Sequence, residues 1–175
     1  MYIHKRLLLG ALVAAVLVGS LVFALAASAD RTPEGVSANF LGSSLAPSLP
    51  TPTDPTLHGV APGGAPWALT AGNVVLHDNG RLQIGIRGLV LTIPPFTGKP
   101  GPVTGVTASL YCGADTVTAP ALTTGVARLS DRGNAVINTT VTLPSSCLAP
   151  IVLIHPVIGT TLNPTTYIAV TGYMR

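Results

Sequence analysis

The chain has 175 residues, of which only 9% are charged, and its formal net charge is +3 at pH 7. This length suits one ordinary domain with accessory segments. The cations that follow Trp67 lie singly along the sequence, without a cluster and without interleaved aromatic residues, so we expect no nucleic acid among the partners.

Residues 1–29 combine the parts of an export signal. "MYIHKR" is a basic n-region, "LLLGALVAAVLVGSLVFALA" is an apolar h-region, and Ala27-Ser28-Ala29 forms a cleavage site before Asp30. The apolar run is also long enough to cross a bilayer as a helix. Two alternatives stay open: cleavage between Ala29 and Asp30, or retention as a membrane anchor, in which case this segment alone contacts the membrane. Both predict an extracytoplasmic protein, either secreted or tethered to the outer face of the cytoplasmic membrane.

Residues 30–66 differ in composition from both flanking regions. Pro, Ser, Thr, Gly and Ala dominate, and only Phe40 and a few leucines could contribute to a core. Such a segment buries too little apolar surface to offset its conformational entropy. The sequence therefore predicts a disordered linker, which serves either as a spacer at the envelope or as a plain N-terminal tail.

Residues 67–175 change to short runs rich in Val, Ile and Thr, separated by turn residues. No run shows helical periodicity, and about seven or eight short strands at this spacing predict an all-β fold, an antiparallel β-sandwich of immunoglobulin-like size. The antibody-type pattern needs a Trp between two cysteines, whereas Trp67 precedes both cysteines here. Membership of the immunoglobulin family therefore does not follow.

Cys112 and Cys147 are the only cysteines. Export to an oxidising compartment predicts that they form a disulfide, although two free buried thiols are the alternative. In the chain-entropy description, closing this loop stabilises the fold by roughly 3.5 kcal/mol. Strand alternation places Cys112 on the apolar face of "VTGVTASLYC", where a disulfide could tie two sheets together.

The stretch "VVLHDNGRLQIGIRGLV" places His77, Asp78 and Asn79 side by side, which resembles a catalytic cluster. It also reads as a β-hairpin, with a loop of either two residues or three. The three-residue loop 78–80 sets Leu76 opposite Leu82 and leaves His77 on the other face. We predict this register because it collects the apolar side chains on one side, namely Val74, Leu76, Leu82, Ile84 and Ile86.

The sequence assigns no catalytic, cofactor-binding or metal-ligating residue, and no cofactor is expected, because metal-ligand spacings, phosphate loops and nucleophile elbows are missing. A hydrolase using His155 or His77 with a nearby Ser or Asp is one alternative. For His155 we favour a simpler interpretation, a strand-end residue capped by Pro156. A second alternative is a small glycan- or ligand-binding module that uses exposed tyrosines, namely Tyr111, Tyr167 or Tyr173.

The segments "GRLQIGIRGLV", "PGPVTGVTASLYC" and "LPSSCLAP" are similar to small exported hypothetical proteins of high-GC Gram-positive bacteria, over about Trp67 to Tyr173. This resemblance implies an exported β-domain and implies no activity. The leading hypothesis is an exported, non-catalytic β-sandwich module with a structural or interaction role at the cell envelope. Its expected partner is an envelope or extracellular molecule, and we favour a protein that is not an enzyme.

Overall fold

A computed structural model describes residues 39–172, which contain strands, turns and bends but no helix. The described strands, in chain order, are β1 (Asn39–Pro47), β2 (Ala61–Pro62), β3 (Trp67–Ala68), β4 (Ala71–His77), β5 (Arg81–Arg87), β6 (Val90–Leu91), β7 (Val103–Tyr111), β8 (Leu122–Thr123), β9 (Ala127–Arg128), β10 (Ala135–Thr140), β11 (Ile151–Ile158), β12 (Thr161–Leu162), β13 (Thr166–Tyr167) and β14 (Ala169–Thr171). The predicted all-β class is confirmed. The hydrophobic segment, the cleavage site at Ala29-Asp30 and Tyr173 lie outside the described residues.

Ten of these strands join into one sheet, in the order β10-β5-β4-β1-β14-β11-β7-β8, with β12 beside β11 and β9 beside β7. Every pairing within this sheet is antiparallel. Strand β1 connects the two halves, because residues 41–44 pair with β4 and residues 45–47 pair with β14. The predicted antiparallel pairing is confirmed, whereas two separate sheets of a sandwich are not, since β1 is continuous with both halves.

The main core lies on the concave face of this curled sheet. Apolar side chains of β4, β5 and β10 pack there against those of β7 and β11, so opposite halves of one sheet bury each other. Strict alternation on β4, β5 and β10 supplies one side of the core, as a half-buried strand requires. The side chains concerned include Val74, Leu76, Leu82, Ile84, Ile86, Ile137, Val106, Leu110, Val152 and Ile154.

The β4–β5 hairpin has the predicted register, with Leu76 opposite Leu82 and therefore a three-residue loop. Gly80 adopts a φ of 81°, a left-handed conformation that glycine takes without steric cost. Its N–H donates to the carbonyl of His77 at 2.9 Å, and its own carbonyl accepts the N–H of Val141 at 2.9 Å. His77 is half-buried and Asp78 is exposed in the turn, so the hydrophobic pattern and the loop length together determined this element.

The linker predicted over residues 30–66 is corrected where it is described. Residues 39–47 form β1 in the middle of the sheet, and the domain therefore begins well before Trp67. Residues 48–66, here called the 48–66 segment, cover the outer face of β7, β11 and β14, opposite the main core. Backbone bonds hold the segment there, including Ser48 N–H to the Ile168 carbonyl and Ala61 N–H to the Thr165 carbonyl, both at 3.0 Å.

A second, smaller apolar cluster lies under the 48–66 segment. It explains why β11 is buried on both faces: Val152 and Ile154 enter the main core, whereas Leu153 enters this second cluster. A strand buried on both faces reads as a continuous apolar run, as "IVLI" at residues 151–154 does. The buried members of the cluster are Val60, Tyr111, Leu153, Tyr167 and Val170.

Candidate functional site

Cys112 and Cys147 form the predicted disulfide, with their Cα atoms 4.9 Å apart. Cys112 directly follows β7, and Cys147 lies in the coil that leads from β10 to β11. Both half-buried side chains pack against the main core. A disulfide is typical of an oxidising, extracytoplasmic compartment.

A cavity of about 280 Å³ lies on the outer face of β7 and β11, and we call it the β7/β11 cavity. The 48–66 segment contributes His58 to its wall, β7 contributes Ser109 and Tyr111, and β11 contributes His155. The segments at residues 118–123 and 162–165, which include residues of β8 and β12, complete the wall. Imidazoles and hydroxyls therefore converge on one concavity that also has apolar sides, the usual composition of a small-ligand site.

Strand alternation explains why these side chains meet. Thr107, Ser109 and Tyr111 share the outer face of β7, and the register sets Thr107 opposite His155 on β11. This face of β7 reads as polar in the sequence, yet all three side chains are buried because the 48–66 segment and the neighbouring loops cover them. The polar face of one strand thus becomes the floor of a covered site.

His155 is the most deeply buried titratable side chain of this wall, with 1% of its surface exposed. Its ring Nδ1–H donates to the carbonyl of Thr166 at 2.9 Å, which leaves Nε2 as the lone-pair nitrogen. Within residues 39–172, Nε2 has no hydrogen-bond partner. Burial lowers the pKa of His155, and the bond to Thr166 offsets part of that effect. The imidazole is therefore a neutral hydrogen-bond acceptor at neutral pH.

The interpretation of His155 as a strand-end residue is corrected. It lies inside β11, which continues through Pro156 to Ile158. Pro156 is tolerated because its backbone nitrogen faces away from β7, on the side where its carbonyl accepts the N–H of Asn163 at 3.0 Å. Thr166, which anchors the ring, belongs to β13 and follows β11 closely in the chain.

His58 forms the opposite wall of the cavity. Its imidazole stacks on the ring of Tyr111, with centroids 4.8 Å apart and an interplanar angle of 21°. Its Nδ1 lies 2.7 Å from the carbonyl of Val117, and its backbone N–H donates to the carboxylate of Asp115 at 2.5 Å. Burial raises the pKa of Tyr111. Sequence reasoning missed His58 because it falls in the presumed linker, where only the flanking apolar Leu57 and Val60 hint at a covered position.

The geometry of a serine hydrolase does not occur in this wall. The hydrogen bonds of the His58 and His155 rings go to backbone carbonyls, and the hydroxyl of Ser109 pairs with that of Thr123 at 2.9 Å. His77 is not in the wall. Neither imidazole of the cavity is hydrogen-bonded to a serine hydroxyl, so the wall contains no serine–histidine pair.

The exposed tyrosine platform considered from the sequence is corrected for its two described members. Tyr111 is 3% exposed and Tyr167 is 1% exposed. The hydroxyl of Tyr167 donates to the carbonyl of Pro55 at 2.8 Å, so this ring anchors the 48–66 segment. Both tyrosines became buried because that segment, expected to be disordered, lies over them.

A second cavity of about 240 Å³ lies between β1, the 48–66 segment and β14. Its wall is mainly apolar, including Leu57, Ile151 and Val170, and its carboxylate, Asp54, accepts the N–H of Leu49 at 2.6 Å. Asp54 and Thr171 of this wall both accept backbone N–H groups, whereas the β7/β11 cavity contains the unpartnered Nε2 of His155 and is therefore the better candidate site.

No known family matches the sequence, and neither a curated protein nor a solved structure matches it. In residues 39–172, no group of three or more His, Cys, Asp or Glu side chains could hold a metal ion. The same residues contain no helix long and apolar enough to cross a membrane.

Proposed function

We propose that this protein is an exported, non-catalytic binding module of the cell envelope, and that the β7/β11 cavity binds a small uncharged ligand. The single observation that carries this proposal is the unpartnered Nε2 of His155, buried in the cavity wall. An unsatisfied buried acceptor costs about 1–3 kcal/mol. A ligand hydroxyl or amide N–H that reaches Nε2 would recover part of that cost.

The lining residues of the cavity also favour an uncharged ligand. Its polar groups are hydroxyls and imidazoles, with no carboxylate, lysine or arginine among the lining residues. A charged ligand would be desolvated here without a partner of opposite charge, which is unfavourable. Ser109, Thr118 and Thr123 offer hydroxyls to a neutral polar molecule, and the volume of about 280 Å³ suits a group of monosaccharide size.

A binding role without catalysis is supported by how the two imidazoles are held. Each uses a ring nitrogen to contact a backbone carbonyl, so His155 is a fixed acceptor rather than a base beside a nucleophile. Ser109, the serine of the wall, is bonded to a second hydroxyl. The arrangement favours recognition through hydrogen bonds.

The test is titration of the protein with N-acetylglucosamine, glucose and phenol, followed by amide chemical shifts in NMR. We expect at least one of these probes to shift residues of the β7/β11 cavity. His155→Asn is the informative variant, because the Asn amide can still donate to the Thr166 carbonyl while Nε2 is removed. Loss of one hydrogen bond of about 1–1.5 kcal/mol weakens binding about tenfold. His77→Asn is the matched control and should bind as the wild type does.

Two outcomes would overturn the ligand site: probes that leave the cavity resonances unchanged, or equal binding by wild type and His155→Asn. Catalytic turnover of a probe would instead overturn the non-catalytic assignment. These readouts are separate, since binding is measured by shifts and turnover by product.

Export is proposed together with the binding role. The basic and apolar segments of residues 1–29 and the Cys112–Cys147 disulfide support it. Fractionation of cells and sequencing of the mature N-terminus test it. A chain that begins at Asp30 in the medium indicates cleavage, an intact chain in the membrane fraction indicates an anchor, and an intact chain in the cytoplasm contradicts export.

A further inference from the structure

We infer that a cavity between β9 and β10 binds an anionic group, a phosphate or a carboxylate, through Arg87, Arg128 and Asn134. The cavity has a volume of about 320 Å³, and we call it the β9/β10 cavity. It shares no lining residue with the β7/β11 cavity, so this site is separate from the proposed site for an uncharged ligand.

The fold brings to this cavity two arginines that lie far apart in the sequence. Strand β10 is one end of the ten-stranded sheet, and β9, which pairs with β7, lies beside it. The turn at residues 130–134 joins the two strands and is closed by a bond from Ser130 N–H to the Asn134 carbonyl at 2.9 Å. Arg87 ends β5, the neighbour of β10, and Arg128 ends β9. Each side of the cavity therefore contributes one guanidinium group.

Strand alternation leaves both guanidinium groups outside the core. Ile86 of β5 enters the main core, so the next residue, Arg87, lies on the outer face of the sheet and is exposed. Arg128, the register partner of Gly105, is exposed as well. Within residues 39–172, no carboxylate lines this cavity, and Asp131 of the connecting turn is not part of the wall. The charges of the wall are therefore all positive.

Asn134 supplies a third hydrogen-bond donor. Its Oδ1 accepts the N–H of Gly88 at 3.0 Å, which leaves the amide NH₂ group to donate. Its backbone N–H donates to Oγ of Ser130 at 3.0 Å. Both the backbone and the side chain of Asn134 are thus held in place before a ligand binds, which reduces the entropy that binding costs.

The charge and the shape of these donors favour an anionic group. Two guanidinium groups that face one cavity repel each other, and an anion between them replaces this repulsion with attraction. A neutral ligand would leave the repulsion unchanged. Guanidinium is a planar donor that matches the oxygen atoms of a carboxylate or a phosphate with two parallel hydrogen bonds. The sequence shows the cations singly, whereas the structure places two of them at one site.

The first test titrates the full chain, in a mild non-ionic detergent, with inorganic phosphate and with acetate at constant ionic strength. NMR follows the arginine Nε–Hε signals, which report each guanidinium group directly. We expect saturable shifts of Arg87 and Arg128 with at least one anion, and the anion that binds more tightly identifies the group. Arg81 is exposed at the other end of β5, about 20 Å from Arg87, and its signal should not shift. Shifts that do not saturate with either anion would overturn the site.

The second test removes one charge at a time. Arg87→Gln and Arg128→Gln each lose a charged donor, which should weaken binding about tenfold. Arg81→Gln is the matched control, since it removes the same charge from the same strand outside the cavity. It should bind as the wild type does. Equal affinity of the three variants would overturn the inference.

The third test reverses the sign of one donor. In Asn134→Asp the carboxylate can still accept the Gly88 N–H, but a negative charge replaces the amide donor. Binding of both anions should then fall at least tenfold. Asn138→Asp is the control, because it adds the same charge at an exposed position further along β10, and it should retain binding. Equal affinity of these two variants would contradict a role for Asn134.

Discussion

At the scale of single residues, the outer face of β7 and β11 contains polar atoms that the fold buries but does not pair. Thr107 Oγ1 and His155 Nε2 are both in this state within residues 39–172, and they belong to directly opposed positions. Each unpartnered atom therefore lowers the free energy of unfolding, and a substitution at its residue can measure by how much.

Thr107→Val should stabilise the protein by about 1 kcal/mol, because it replaces an unpartnered buried hydroxyl with a methyl group of similar shape. Thr124→Val is the matched control. The Thr124 hydroxyl accepts the N–H of Ala108 and donates to the carbonyl of Gly125, both at 3.0 Å. This second variant should lose about 1–2 kcal/mol. Urea unfolding of the three proteins compares the midpoints, and a destabilised Thr107→Val would show that its hydroxyl is engaged.

His155 makes stability depend on pH. Burial lowers its pKa in the folded state below the unfolded value of about 6.5, so the unfolded chain binds more protons as the solution becomes acidic. Its contribution is fully present above pH 6.5 and is lost as pH falls toward the folded pKa. The slope from this group is at most about 1.4 kcal/mol per pH unit. Denaturation between about pH 5 and pH 8 should show a smaller slope for His155→Asn than for wild type, and equal slopes would contradict this assignment.

At the scale of elements, the β4–β5 hairpin was predictable and β1 was not. The hairpin register depends on loop length and on the alternation of nearby residues, which are both local properties of the sequence. Strand β1 has weak alternation, with only Leu45 and Ala46 buried. Backbone hydrogen bonds to β4 and β14 hold it in the sheet. The amino-acid composition of a segment does not reveal whether its backbone forms such bonds. The same absence of signal concealed His58, and with it one wall of the cavity.

Gly80 is the hairpin residue whose replacement should cost most. A Cβ there would lie 2.1 Å from the carbonyl oxygen of Val141, at a φ of 81°. Gly80→Ala should therefore lose about 3 kcal/mol or more, from the clash and the left-handed backbone together. Gly98→Ala is the control, because Gly98 has a φ of 75° with open space around it, and its cost should be about 1–2 kcal/mol. Thermal unfolding measures both, and similar losses would contradict the predicted clash.

At the scale of the whole molecule, the sequence predicts that the domain begins at Trp67. The structure shows that it begins earlier, because β1 belongs to the sheet. Since β1 lies between β4 and β14, the two halves of the sheet depend on it for their connection. The curled sheet also explains why composition could not define the domain: its core is closed by opposite halves of one sheet. The all-β class and the disulfide followed from residue types, whereas this connection needs the three-dimensional structure.

A chain shortened to begin at Trp67 should fail to fold, because it lacks β1 and the 48–66 segment. It exposes the ladder edges of β4 and β14 and uncovers the second apolar cluster. A chain that begins at residue 36 retains both and should unfold cooperatively. Circular dichroism with thermal unfolding distinguishes them. A cooperative transition for the shorter chain would place the domain boundary back at Trp67.

The position of β1 also has a consequence for the order in which the protein acquires its structure. The first described strand pairs with the last, so the sheet cannot close until the C-terminal residues are present. Contacts so distant in sequence form slowly, because a long loop must close before they contribute. For a chain that leaves the cytoplasm N-terminus first, β1 arrives long before its partner. Under the proposed export, the sheet would therefore close only after β14 had also been transferred.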